Sequence, residues 1–264
     1  MPETKIREMT ETDVAFVSSC SHVHESEEID ACAAQRRSRF KELRSHGALF
    51  KVALRGDQHV GFAYGIPIEH ASWGALGAHL MTIPCLFVLQ AEDGQGAGRA
   101  LIQAIEHEAQ ASGHTGVSVT AYRDIPGAEW FMPASFFEHL GYAPVDSRGR
   151  EVLLWKTFSA DAQPPHFLQP HFVFEPMEGV VVIDLFWNGF CQTSAIEAQR
   201  VREVCEEFGN AVVLREYQAE DREVLLRHQI PRAIYINGKE IGWGYEAPRE
   251  GIRAAIQEQL DQAS

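Results

Sequence analysis

The sequence predicts an α/β protein made of two successive mixed-sheet arrangements, and three observations lead there. Short β-rich runs alternate with helical periodicities along most of the chain. A glycine turn, Gly94-Gln-Gly96-Ala-Gly98-Arg99, stands between an apolar strand and a helix. A second apolar strand, Val180 to Trp187, delivers Cys191 to the start of another helix after a proline-rich break.

At 264 residues the chain has room for two modest domains. Hydrophobic residues at 45% and charged residues at 23% are ordinary for folded protein. A net charge of −14 opposes a nucleic-acid partner, whose phosphates require a basic surface. The longest apolar stretch, Leu80 to Leu89, is about half of what crosses a bilayer, so no membrane partner is expected. The polar start, Met1 to Lys5, does not read as a targeting segment. Cys20, Cys32, Cys85, Cys191 and Cys205 have unrelated spacings and form no disulfide framework. A reducing, cytoplasmic compartment is the expectation.

Lys5 to Met9 reads as a strand, and Thr10 to Asp13 as a cap leading into a helix at Val14 to Val17. A second helix runs from Glu28 to Leu43. Ala48 to Leu54 and His59 to Ile66 form a hairpin across Arg55-Gly-Asp-Gln58. Leu80 to Leu89 is nearly all apolar, as a central strand should be. Leu101, Ile102, Ile105 and Ala109 then recur at helical spacing. Val117 to Ala121 is a strand, Phe131 to Leu140 a helix stopped by Gly141, and Val152 to Trp155 a strand. Pro164, Pro165, Pro170 and Pro176 mark residues 159–177 as a linker. Beyond it come strand 180–187, helix 191–208, strand 211–217, helix 221–228, strands 232–236 and 239–243, and helix 248–261.

A glycine turn at a helix start suits a diphosphate. Residues without side chains let oxygens approach the amides, and the helix terminus adds partial positive charge. The position of this turn, after several antiparallel-looking strands, is not that of a dinucleotide fold, and no Lys-Ser/Thr follows it.

The element order over 1–158, the turn and the segment Phe136-Phe137-Glu-His-Leu-Gly141-Tyr142 resemble the GNAT acetyltransferases. The resemblance implies a GNAT fold with acetyl-coenzyme A as cofactor. It implies that the backbone of Leu86, Phe87 and Val88 pairs with the pantetheine arm. It also implies that the amides of Gly94, Gln95, Gly96, Ala97, Gly98 and Arg99 hold the pyrophosphate. Three positions depart from the family pattern. Asp93 replaces the usual Gln or Arg, Trp130 stands where many members have a coenzyme-contacting Asn, and Phe137 replaces the tyrosine that commonly protonates the leaving thiolate. Amine acetylation needs a base, and Glu69, His70, His79 and Glu92 are the candidates on or beside the central strands. The segment Ser21 to Glu28, with His22 and His24, lacks a clear third metal ligand and stands as a substrate-side loop; no metal site is expected.

A strand ending in Trp187-Asn-Gly-Phe, then Cys191-x-x-Ser194 at a helix start, then Ile230-Pro231 before a strand, resembles the thioredoxin-like proteins over residues 178–264. In that fold the proline is cis and faces the cysteine. A helix N-terminus favours thiolate over thiol. Ser194 in place of a second cysteine precludes an internal disulfide within the motif and offers a hydrogen bond to the thiolate; Cys205, on the apolar face of the helix, reads as core. A GNAT half followed by a thioredoxin-like half resembles the YoaP-type acetyltransferases. The expected enzyme is an N-acetyltransferase of a small amine or thiol-containing substrate, with Cys191, Ser194 and Glu92 as catalytic candidates. Its alternatives are a non-catalytic coenzyme A-binding, thiol-sensing protein centred on Cys191, and a monothiol oxidoreductase. The oligomeric state stays open.

Overall fold

The computed structural model describes residues 3–123, 132–243 and 246–263. Contacts divide the chain into two compact units, Met1–Ser21 with Phe40–Leu168, and His22–Arg39 with Gln169–Ser264.

The first unit opens with β1 (Thr4–Glu8) and a capping box in which Thr10 and Asp13 satisfy each other's free groups. Helix α1 (Val14–Ser18) follows. Helix α2 (Glu27–Ser45) contains the division between the units, which falls after Arg39. Strands β2 (Leu49–Arg55) and β3 (Gln58–Pro67) make the expected hairpin, with Gly56 at φ 61° in its two-residue turn. Then come β4 (Ala75–Leu76), β5 (Leu80–Thr82), β6 (Leu86–Val88), α3 (Ala97–Ala111), β7 (Gly116–Tyr122), α4 (Ala134–Glu138), β8 (Ala143–Arg148), β9 (Glu151–Thr157) and β10 (His166–Phe167).

The main sheet runs β1-β2-β3-β5-β7-β9-β8, with β6 pairing β3 as well. Only β5 and β7 pair in parallel. Leu101, Ile102, Ile105 and Ala109 press one face of α3 onto Val117, Val119 and Ala121 of β7 and Met81 and Ile83 of the central strands. Burying each large aliphatic side chain there contributes about 1.5–3 kcal/mol. On the other sheet face Ile68, Ala75, Leu80, Leu153 and Phe167 form a second cluster under the small β4–β10 pair.

The second unit adds β11 (Val181–Trp187), α5 (Gln192–Phe208), β12 (Val212–Gln218), α6 (Arg222–His228), β13 (Ala233–Ile236), β14 (Lys239–Ile241) and α7 (Arg249–Ala263). Its sheet order is β12-β11-β13-β14, with β11 parallel to β12 and antiparallel to β13. Val181, Ile183 and Leu185 face α5 and α7. On the opposite face Asp184 is fully buried and held by Arg215 at 2.7 and 2.9 Å.

Two sequence expectations change. The apolar run 80–89 is two short strands broken at Ile83-Pro84-Cys85, because proline cannot donate to a ladder. The helix expected over 131–140 is shorter, beginning after Pro133. Segment 159–177 is mostly exposed and contains the division between the units after Leu168, but it touches down at points: His166 and Phe167 pair with β4, and Phe172 lies against Phe186 and Tyr235. Its prolines suppress periodicity without preventing these contacts. Among the described residues no helix is long and apolar enough to cross a membrane.

Candidate functional site

The break at Pro84 opens the first unit's sheet. Strand β5 pairs with β7 through Thr82–Ser118, and Ile83 N donates to Ser118 O at 2.8 Å. Past that point β6 stays with β3 while β7 continues with β9 alone, so the two strands part. Tyr64 N donates to Cys85 O and Leu89 N to Val60 O, which sets the alternation along β6. Phe87 thus spends its backbone groups on Phe62, and those of Leu86 and Val88 point to the open side.

The glycine turn stands at the mouth of this opening. Gly94 and Gly96 have φ of 72° and 86°, the left-handed region that glycine enters without strain. A Cβ at either would meet nothing within 4 Å, so the turn is not plugged. Gly96 caps α3, and Ala100 N is bonded to Gly96 O, so the amides of Ala97, Gly98 and Arg99 are first-turn donors without an internal acceptor. A Cβ at Gly98 would lie 3.4 Å from the Phe136 ring and 3.6 Å from Val88, which places the helix start against β6.

Arg55, at the end of β2, pairs with Glu92 and also donates to Gln95. The proposed base Glu92 is therefore engaged in holding the turn. Arg55→Met is expected to weaken coenzyme A binding several-fold, read by calorimetry, while leaving the sheet intact by circular dichroism. Among the other candidate bases, Glu69 accepts from His79 N at 2.6 Å, and His70 stacks on His46. Asp93 is exposed. Phe137 is fully buried against Tyr142, so this position lies in the core and does not face the opening. Trp130 lies outside the described residues. A feature the sequence reading missed is a hydroxyl set at the vertex: Thr82, Ser118 and Thr120, on the face away from α3. Ser118 Oγ and Thr120 Oγ1 are buried without hydrogen-bond partners among the described residues. Single hydroxyls in strands carry no sequence signal of this kind.

In the second unit Cys191 is the N-cap of α5 and is partly exposed. Its amide donates to Asn188 Oδ1 at 2.9 Å, and Asn188 Nδ2 donates to Pro231 O at 3.0 Å. Gly189 and Phe190 amides donate to Glu220, whose carboxyl is pushed up by burial despite Arg39 nearby. Arg36 Nε donates to Phe190 O at 2.8 Å. Ser194 is buried, and its Oγ accepts from Asn188 N at 3.0 Å; this secures the turn. The Ile230–Pro231 peptide is trans, as are all peptide bonds among the described residues, which corrects the expected cis proline. The Asn188 bond to the Pro231 carbonyl fixes the proline beside the thiol turn without that isomer. Among the described residues no His, Cys, Asp and Glu cluster suits a metal.

The first unit thus presents a parted sheet beside a glycine-led helix start. Residues 46–144 match the family model of the acetyltransferase (GNAT) domain, so the chain carries an acetyltransferase domain of the kind that uses acetyl-coenzyme A. Similar solved structures include the PaiA N-acetyltransferase from Thermoplasma acidophilum in complex with coenzyme A, 16% identical, covering 59% of this chain and 99% of that one, TM-score 0.42. The ribosomal-protein-alanine N-acetyltransferase from Brucella melitensis is 18% identical over 58% of this chain and 99% of that one, TM-score 0.43. An aminoglycoside 6'-N-acetyltransferase complexed with coenzyme A is 17% identical over 60% and 99%, TM-score 0.45. No curated protein matches the chain.

Proposed function

We propose that the protein acetylates a small amine, and that its second unit is a thioredoxin-like module with one reactive thiol, Cys191. The parting of β6 and β7 beside the unplugged glycine turn carries the first part. Acetyl-coenzyme A supplies an activated thioester. The amides of Gly94, Gly96, Ala97, Gly98 and Arg99 hold its diphosphate, that of Gln95 being engaged by Glu92 O, and the outward backbone groups of Leu86 and Val88 pair with its pantetheine amides. That path runs from the turn to the vertex, where Thr82, Ser118 and Thr120 accept the N–H groups of the acceptor amine. Glu92 is left out of proton transfer because Arg55 engages it.

The thioredoxin-like reading is supported by the order strand-helix-strand, then helix, strand, strand, helix, by the sheet order β12-β11-β13-β14, and by the thiol at the α5 N-cap. The domain order is that of the YoaP-type acetyltransferases. None of the five cysteines is joined in a disulfide, in keeping with a cytoplasmic location.

Calorimetry with acetyl-coenzyme A, followed by coenzyme A release across a panel of primary amines, tests the transferase. Binding and turnover on at least one amine is expected; tight binding with no turnover on any amine would favour a sensing protein instead. Cys191→Ser should leave coenzyme A affinity unchanged, because the thiol belongs to the other unit. A large loss of affinity in that variant would contradict the assignment of the diphosphate to residues 94–99.

A further inference from the structure

Ser118 and Thr120 alternate along β7 with Val117, Val119 and Ala121, which face α3, so the two hydroxyls stand on the opposite face of the sheet. The ladder sets Thr82 of β5 directly beside Ser118. Thr82 Oγ1 donates to Ser118 O at 3.4 Å, while Ser118 Oγ and Thr120 Oγ1 have no partner among the described residues. Ser118 is 0% and Thr120 7% exposed. A β-carbon at Gly74 would lie 3.5 Å from Thr120 Oγ1 and 3.9 Å from Thr82 Oγ1. Apart from the chain on either side of Gly74, no other atom of the described residues comes within 4 Å of that point. Glycine therefore leaves open a space bounded by hydroxyls. Burying a hydroxyl without a partner destabilises a fold, so the pair is arranged for something that arrives from outside.

The cross-strand neighbours on that face are uncharged: Ile66 beside Thr82, Trp155 beside Ser118 and Leu153 beside Thr120. The adjoining apolar cluster holds Ile68, Leu80 and Phe167. Charged groups on the surrounding elements are engaged or turned to solvent. Glu69 accepts from His79 N, Glu151 pairs with Arg148, and Asp146 and His166 are exposed. An ammonium brought to the hydroxyls would lose its hydration with no carboxylate to replace it. Hydroxyl oxygens suffice for the N–H groups of an uncharged amine.

We propose that the acceptor is an amine uncharged at neutral pH, of the aryl-amine or hydrazide class, and that Ser118 and Thr120 select it by accepting its N–H groups. The proposal rests on the reading of the first unit as an amine acetyltransferase. An uncharged amine keeps the lone pair that forms the C–N bond, so no base has to free it beforehand. As that bond forms and the C–S bond of the thioester breaks, one N–H proton is transferred to the departing sulfur, and amide and thiol leave in balance. An alkyl ammonium would first have to surrender a proton, and Glu92, the base expected from the sequence, is held by Arg55.

The test titrates aniline and benzylamine by calorimetry, from pH 6 to 9, into full-length protein saturated with coenzyme A, which has no acetyl group to transfer. Aniline should bind with constant affinity across the range, whereas benzylamine should gain about tenfold per pH unit, following its uncharged fraction. Ser118→Ala and Thr120→Val should each weaken aniline binding about three- to tenfold, the worth of one hydrogen bond. Neither should lower the melting temperature of the free protein, because the hydroxyl removed bonds nothing there. Benzylamine binding that is strong and flat with pH, unchanged aniline affinity in both variants, or a clear drop in melting temperature would overturn the proposal. Acetylation of alkyl amines alone in the presence of acetyl-coenzyme A would do the same while leaving the transferase reading intact. If no amine of either class binds or is acetylated, that reading falls as well.

Discussion

Gly96→Val is expected to weaken acetyl-coenzyme A binding by at least about tenfold, the largest effect of any single change in the first unit's site. Gly96 sits at φ 86°, where a β-carbon costs roughly 1–2 kcal/mol of backbone strain. The space beyond it is open, so the branched side chain would occupy the approach to the α3 amides. A hydrogen bond to a charged group is worth about 1.5–3 kcal/mol, and losing one already exceeds a factor of ten in affinity. Gly113, near the far end of α3, has φ 85° and equally open surroundings, and serves as a control. Gly113→Val should lower the melting temperature similarly and leave the dissociation constant alone. Equal losses of affinity in the two variants would show that strain, not access to the amides, is responsible.

Asp13→Ala should cost the first unit roughly 2–3 kcal/mol. Asp13 is fully buried and accepts Arg7 at 2.5 and 2.9 Å, His59 at 2.7 Å, and the Thr10 amide and hydroxyl at 2.7 and 2.8 Å. Breaking a buried pair by removing one partner costs about 3–5 kcal/mol. The estimate is lower here because the Arg7 side chain is 29% exposed and regains water. Burial alone would raise the Asp13 pKa, but Arg7, Thr10 and His59 together hold it well below the usual carboxylate range. A depressed folded pKa contributes stability that is fully present above the unfolded value, about 3.9, and is lost as pH falls through the folded one. Urea midpoints measured from pH 7 down to pH 3 should therefore fall more steeply below pH 4 in the wild type than in Asp13→Ala. Parallel curves would mean that Asp13 titrates as an ordinary carboxyl.

Periodic elements were legible because burial of one face leaves a mark at fixed spacing. Every strand and helix expected beyond residue 178 is present, with ends displaced by only a residue or two. The hairpin at Gly56 and the start of α3 were equally plain, since both depend on a glycine where the backbone needs one. Short strands were not: β4, β10 and β8 carry two to six residues, too few for alternation to show. The role of Glu92 was hidden because its partner, Arg55, stands at the end of β2, far away in sequence. Phe137 was read from its place in a motif, and packing put its ring in the core.

The amino-acid order alone specified two α/β arrangements, the glycine turn ahead of α3 and the cysteine ahead of α5, because helix starts and apolar periods are local properties of the backbone. Only the folded chain decided where the sheet parts, since that depends on which neighbour β6 keeps after Pro84. It also decided that residues 22–39 group with the C-terminal unit and carry Cys32 to α5. The second outcome goes with long-range ion pairs such as Glu28 with Arg200, and a charged residue's partner across the fold leaves no trace in its own neighbourhood of sequence.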